Sequence, residues 1–101
     1  EPGRVVAAFR AELLAGATAL AGDREEGRQR FVDAVRRWRE LGADFERALC
    51  QVSMVAALGA GPETAAAATE ARETFQRLQA IRFVERLDDA LSGTGAGVRT
   101  A

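Results

Sequence analysis

The stretch Phe31-Val32-Asp33-Ala34-Val35-Arg36-Arg37-Trp38-Arg39-Glu40-Leu41-Gly42 decides the fold, because it has a counterpart 37 residues further on. Laid over Ala68-Thr69-Glu70-Ala71-Arg72-Glu73-Thr74-Phe75-Gln76-Arg77-Leu78-Gln79, it puts Ala34 on Ala71, Trp38 on Phe75 and Leu41 on Leu78. Phe31, Ala34, Trp38 and Leu41 step by 3, 4 and 3, which is the spacing of one helix face. Ala65, Ala68, Ala71, Phe75 and Leu78 step by 3, 3, 4 and 3. Each copy follows another apolar segment that closes on a glycine, Leu20-Ala21-Gly22 or Ala57-Leu58-Gly59. The unit is therefore helix, tight glycine turn, helix, used twice. A period between 20 and 50 residues is the sign of stacked helical pairs.

Working outward, the sequence predicts an all-α fold of about five helices. The first is expected over 5–21, with Val6, Phe9, Leu13, Ala17 and Leu20 facing inward. The second starts near Arg24 behind the N-cap candidate Asp23, which stands three before Glu26 as in a capping box, and ends at Gly42. The third, capped by Asp44 and running from Phe45 to about Leu58, is apolar over much of its circumference and should be the most buried. Pro62 suits the first turn of a fourth helix over 63–79. A short fifth covers 82–91, with Phe83, Val84, Leu87 and Leu91 inward, and 92–101 has the Gly/Ser/Thr composition of a flexible tail. The units so predicted are a first hairpin over 5–42, a second over 44–79 and a capping helix over 82–91 in one domain. Small residues (Gly27, Ala34, Ala65, Ala68, Ala71) let helices approach, and Phe31, Trp38 and Phe75 fill the wider gaps between layers. A single bundle without repeats is the rival architecture.

Composition excludes much chemistry. The 101 residues contain no His, no Tyr and no Lys, and one cysteine, Cys50. No internal disulfide, no His-based triad, no Lys Schiff base and no zinc site of the usual ligands can be built. Formal net charge is −1, so no overall positive field holds phosphates. Arg28, Arg30, Arg36, Arg37 and Arg39 are interleaved with Glu25, Glu26, Asp33 and Glu40, and Glu26/Arg30, Asp33/Arg37 and Arg36/Glu40 stand four apart, as on a solvated helix face. Nucleic-acid binding is not expected. Glu85, Asp88 and Asp89 read as a helix-surface cluster, Cys50 and Met54 as core fillers, and Glu12 with Glu46 as surface carboxylates. No cofactor, metal or catalytic residue is expected. No apolar run is long enough for a membrane span, and the start Glu1-Pro2-Gly3 carries neither an initiator Met nor a signal pattern, as in an excised piece of a longer, cytoplasmic chain.

At these residues the chain resembles a tetratricopeptide repeat protein over about 7–79. Leu14, Gly22, Gly27, Phe31 and Ala34 fall on the family's pattern in the first unit, and Gly59 and Ala71 in the second. Ala68 stands where an aromatic is usual, Gly61 looks like a one-residue insertion, and Ala11, Thr18, Ala48 and Val55 hold the first-helix Trp and Tyr positions. Trp38-Arg39-Glu40-Leu41-Gly42-Ala43, Glu46-Arg47-Ala48-Leu49, the run 71–80 and Glu85-Arg86-Leu87 are in addition similar to the closing repeats of large bacterial signalling proteins, which join an ATPase to an adenylate cyclase or a LuxR-type DNA-binding domain. The resemblance implies a superhelix whose first helices line a groove, with Phe9, Glu12, Gly16, Ala19, Glu46, Leu49, Ser53 and Ala56 as binding residues. It implies a protein or peptide partner, or neighbouring domains of the parent chain. Self-association through residues such as Val5, Phe9, Phe83, Val84 and Leu91 is the alternative.

Overall fold

The computed structural model describes residues 2–93, and most of the tail expected over 92–101, namely 94–101, lies outside them. Five helices follow one another: α1 (Pro2–Leu20), α2 (Arg24–Glu40), α3 (Asp44–Leu58), α4 (Pro62–Arg77) and α5 (Ile81–Leu91). The fold is all-α. Short turns make α1 with α2, and α3 with α4, the tightest pairs.

The period of 37 is written into the backbone. α2 and α4 end at Glu40 and Arg77, and α3 and α5 begin at Asp44 and Ile81, each pair 37 apart. Positive φ falls on Gly22 and Gly59, and again on Gly42 (+69°) and Gln79 (+58°). The same two hydrogen bonds close the second turn in both places. The Gly42 and Gln79 amides donate to Arg39 and Gln76 (3.0 and 3.1 Å), and the Ala43 and Ala80 amides to Trp38 and Phe75 (3.1 and 2.7 Å). This wrapping of the last helical turn satisfies carbonyls that would otherwise lack donors. The copies differ at the first turn. Asp23 alone lies between Gly22 and α2, whereas Ala60-Gly61 follows Gly59. Asp23 Oδ1 accepts from the Glu26 amide (3.2 Å). At the longer turn the Gly61 amide donates to Thr64 Oγ1 (3.1 Å), and that hydroxyl donates to the Gly59 carbonyl (2.9 Å).

Two cores result. Ala8, Ala15, Phe31, Ala34, Trp38, Cys50, Met54 and Leu58 form one. Ala48, Val55, Ala68, Ala71, Phe75 and Leu87 form the other, with Phe45, Phe83 and Val84 against it. Trp38 meets Phe9 edge-on (4.7 Å between ring centres), and Phe75 forms a triangle of rings with Phe45 and Phe83 (6.0 and 5.4 Å, with 5.1 Å between the latter two). The third helix does carry the most buried positions, from Arg47 to Leu58.

Four expectations need correction. The inward face of α1 is Ala8, Ala11, Ala15 and Ala19, while Val6, Leu13, Ala17 and Leu20 point outward and Phe9, half-exposed, rests its ring against Trp38. The cause is close approach. A Cβ on Gly27 would come within 3.0–3.1 Å of Ala19, so α1 meets α2 through its smallest side chains. Ala65 and Leu78 likewise lie outside the core. Asp44 opens α3 without capping it, because Ala43 holds the cap position and Asp44 faces Arg77 instead (3.3 Å). Helix ends also move: α1 and α4 start earlier than expected, at Pro2 and Pro62, and α4 stops at Arg77.

Candidate functional site

The first helices of successive units touch one another, α1 on α3 and α3 on α5, whereas α2 and α4 are not closely packed. The stack therefore closes on the first-helix side and opens on the other. On the open side, the Arg24–Glu63 (2.9 Å) and Arg39–Glu70 (2.7 Å) ion pairs bridge α2 to α4 across a hollow of about 330 Å³ floored by Gln51 and Met54.

On the closed side a groove of about 580 Å³ runs between α1 and α3. Glu12, Leu13, Gly16, Ala17 and Leu20 form one wall, Ser53, Ala56 and Ala57 the other, and Phe31 reaches it from below. Helical spacing explains the walls. Residues 13, 16, 17 and 20 share a face of α1, and 53, 56 and 57 share a face of α3. The lining is mainly apolar, and Glu12 is its charged member. The Trp38 indole N–H donates to Glu12 Oε1 (3.1 Å), which fixes that carboxylate at the edge of the first core. A Cβ at Gly16 would meet nothing within 4 Å, so the groove is open there.

Of the residues the resemblance implied, the structure gathers Glu12, Gly16, Ser53 and Ala56 in this groove. It does not bring in the other four. Phe9 packs on Trp38, Ala19 faces Gly27, Leu49 belongs to the second core, and Glu46 is outside the groove lining. The groove adds Leu13, Ala17, Leu20, Ala57 and Phe31. The signal that could have found Leu13 and Leu20 is the series Ala8-Ala11-Ala15-Ala19, whose steps of 3, 4 and 4 mark the inward face.

The polar side chains of the groove are Glu12 and Ser53. Burial and the neighbouring Glu12 carboxylate push the Cys50 thiol up, so it stays protonated. Among the described residues no three or more acidic or cysteine side chains are grouped to hold a metal ion, and Asp88 is taken up by Arg72 (2.5 Å). No described helix is long and apolar enough to cross a membrane. No protein-family model, curated protein or solved structure matches the chain.

Behind the groove sits a buried polar network. Arg47, 4% exposed, donates to Gln51 Oε1 and Thr74 Oγ1 (both 2.7 Å). Gln51 donates to Glu70 (2.8 Å), which also receives both Nη groups of Arg39. Arg39 above all, with Gln51 and Arg47, holds the Glu70 carboxyl down to about 2. The network ties α2, α3 and α4 together and fixes the spacing of the two units.

Proposed function

We propose that the chain is a non-catalytic protein-interaction module that takes a peptide or helix in the α1/α3 groove. The observation that carries this is the groove itself, an open, mainly apolar trough held by two helix faces. The tetratricopeptide resemblance agrees with it, as does the similarity to the closing repeats of bacterial signalling proteins. On that reading the module is a cytoplasmic regulatory or scaffolding segment of a larger protein, joined to an ATPase, cyclase or DNA-binding domain. Without the Lys and Asn of carboxylate-clamp members, it would grip side chains rather than a C-terminal carboxylate.

Ala56→Arg tests the proposal, because Ala56 is exposed on the groove wall and the longer side chain fills the trough without touching the core. A random-peptide display selection against the purified chain should enrich a sequence family that Ala56→Arg no longer binds. Undiminished binding by Ala56→Arg, or no enrichment at all, would overturn it. Self-association is the second reading, favoured by the outward Leu13 and Leu20, which are 74% and 88% exposed. Sedimentation of the chain at increasing concentration separates the two.

A further inference from the structure

We propose that the outward face of α1, together with the adjoining edge of α2, is a docking site for an amphipathic helix of a partner with acidic flanks. The site adjoins the α1/α3 groove and shares Leu13 and Ala17 with it, but Val6 and Arg10 lie outside that groove's lining.

The argument begins with what covers the same face elsewhere in the molecule. Adding 37 to Val6, Leu13 and Ala17 gives Ala43, Cys50 and Met54. All three pack into the first core, against the pair before them, and Cys50 is 0% exposed. Adding 37 again gives Ala80, Leu87 and Leu91, which pack into the second core, with Leu87 also at 0%. Both α3 and α5 thus bury this face against a second-type helix. On α1 no described helix covers the face; Val6 and Leu13 are larger than their counterparts Ala43 and Cys50, and Ala17 is smaller than Met54. The helices that do the covering show what fits. α2 offers Phe31, Ala34 and Trp38, and α4 offers Ala68, Ala71 and Phe75, a ridge at i, i+3 and i+7 with a small residue in the middle.

Charge then separates the missing helix from α2. At the edge of the second pair, Glu63 and Glu70 receive Arg24 and Arg39 of α2. Their register partners at the first pair are Glu26 and Asp33, which line a hollow of about 470 Å³ with Arg10, Leu14, Gln29, Arg30 and Arg37. There the acids are already taken by their own helix. Arg30 holds Glu26 (3.0 Å), and Arg36 and Arg37 hold Asp33. Arg10, on the flank of the apolar stripe, forms no ion pair among the described residues. An edge that is acidic in the second pair is therefore basic in the first, and an occupant with arginine flanks is repelled where one with Glu or Asp flanks is drawn in. A second copy of this chain offers no such helix, since α2 and α4 already spend their ridges on its own cores. Nor is the turn that seats α2 on α3 present. Val5 and Val6, in register with Gly42 and Ala43, continue α1 as helix.

Two helical peptides test this, one with the sequence of residues 24–40 and one with Arg24→Glu and Arg39→Glu in the same peptide, both titrated by fluorescence anisotropy against the whole chain. The acidic peptide should bind about tenfold more tightly than the unchanged one. Arg10→Glu in the chain should cancel or invert that preference, and Val6→Asp should abolish binding of both. Ala56→Arg should leave it untouched, so failure here and failure of the groove are told apart. Equal binding of the two peptides, no binding of either, or a concentration-dependent dimer dispersed by Val6→Asp would overturn the proposal. Circular dichroism of Arg10→Glu and Val6→Asp, both at exposed positions, confirms that the variants stay folded.

Discussion

Arg10 and Arg47 hold the same place in two like-built helical pairs, yet one is exposed, with no ion pair among the described residues, while the other is almost wholly buried. Their own helices do not account for this. What differs is the neighbour. Arg47 lies under α2, whose Arg39 brings Glu70 into a network with Gln51 and Thr74. No described helix lies over Arg10. The same contrast separates Cys50 from Leu13. In a repeat architecture, burial belongs to the interface between units as much as to the unit, so one chemical position serves as core in the second pair and as surface in the first.

The largest test of the comparison is its best-matched pair. Trp38→Ala and Phe75→Ala should each cost about 3–5 kcal/mol in urea unfolding, because both rings fill closed slots. A loss below about 1 kcal/mol for either would break the equivalence. Next comes the unequal pair. Arg47→Ala should cost about 2–3 kcal/mol, since it leaves buried Gln51 and Thr74 with fewer partners, whereas Arg10→Ala should stay within about 0.5 kcal/mol. Equal costs would mean that the neighbour is not the cause.

The two left-handed turns give a smaller, mirrored effect. Gln79→Gly should stabilise and Gly42→Gln destabilise by about 1 kcal/mol each, because only glycine takes a φ near +60° without strain. The smallest expected effect concerns acid. The folded-state value of Glu70 lies below its ordinary 4.5, so its contribution is complete above that value and fades as pH falls toward 2. Thermal melts between pH 5 and pH 2 should show a shallower acid loss for Glu70→Gln than for the unaltered chain. An unchanged slope would remove Glu70 from the account.

How much of this could be read from the residues depended on the neighbour too. The helix count, the glycine turns, and the burial of Ala34, Ala71, Trp38 and Phe75 followed from spacing within single helices. The pairs Glu26/Arg30, Asp33/Arg37 and Arg36/Glu40 did so as well, and all three form. The face of α1 did not. Size suggested Leu13 and Leu20 for the core, but the close approach at Gly27 admits only alanines, and that is a property of two helices together. The Arg47 network was hidden for the same reason, since its members come from three helices and share no local pattern. Half of the implied groove residues sit in the groove; Ala19 and Leu49 fell to the cores once the true inward faces were set.

Proton–proton nuclear Overhauser contacts of the aromatic rings test the repeat most directly. The account predicts that Trp38 shows contacts to Phe9 and that Phe75 shows contacts to Phe45 and Phe83, with no contact between Trp38 and Phe75. Contacts joining Trp38 to Phe75 or Phe83 in one shared core would contradict it.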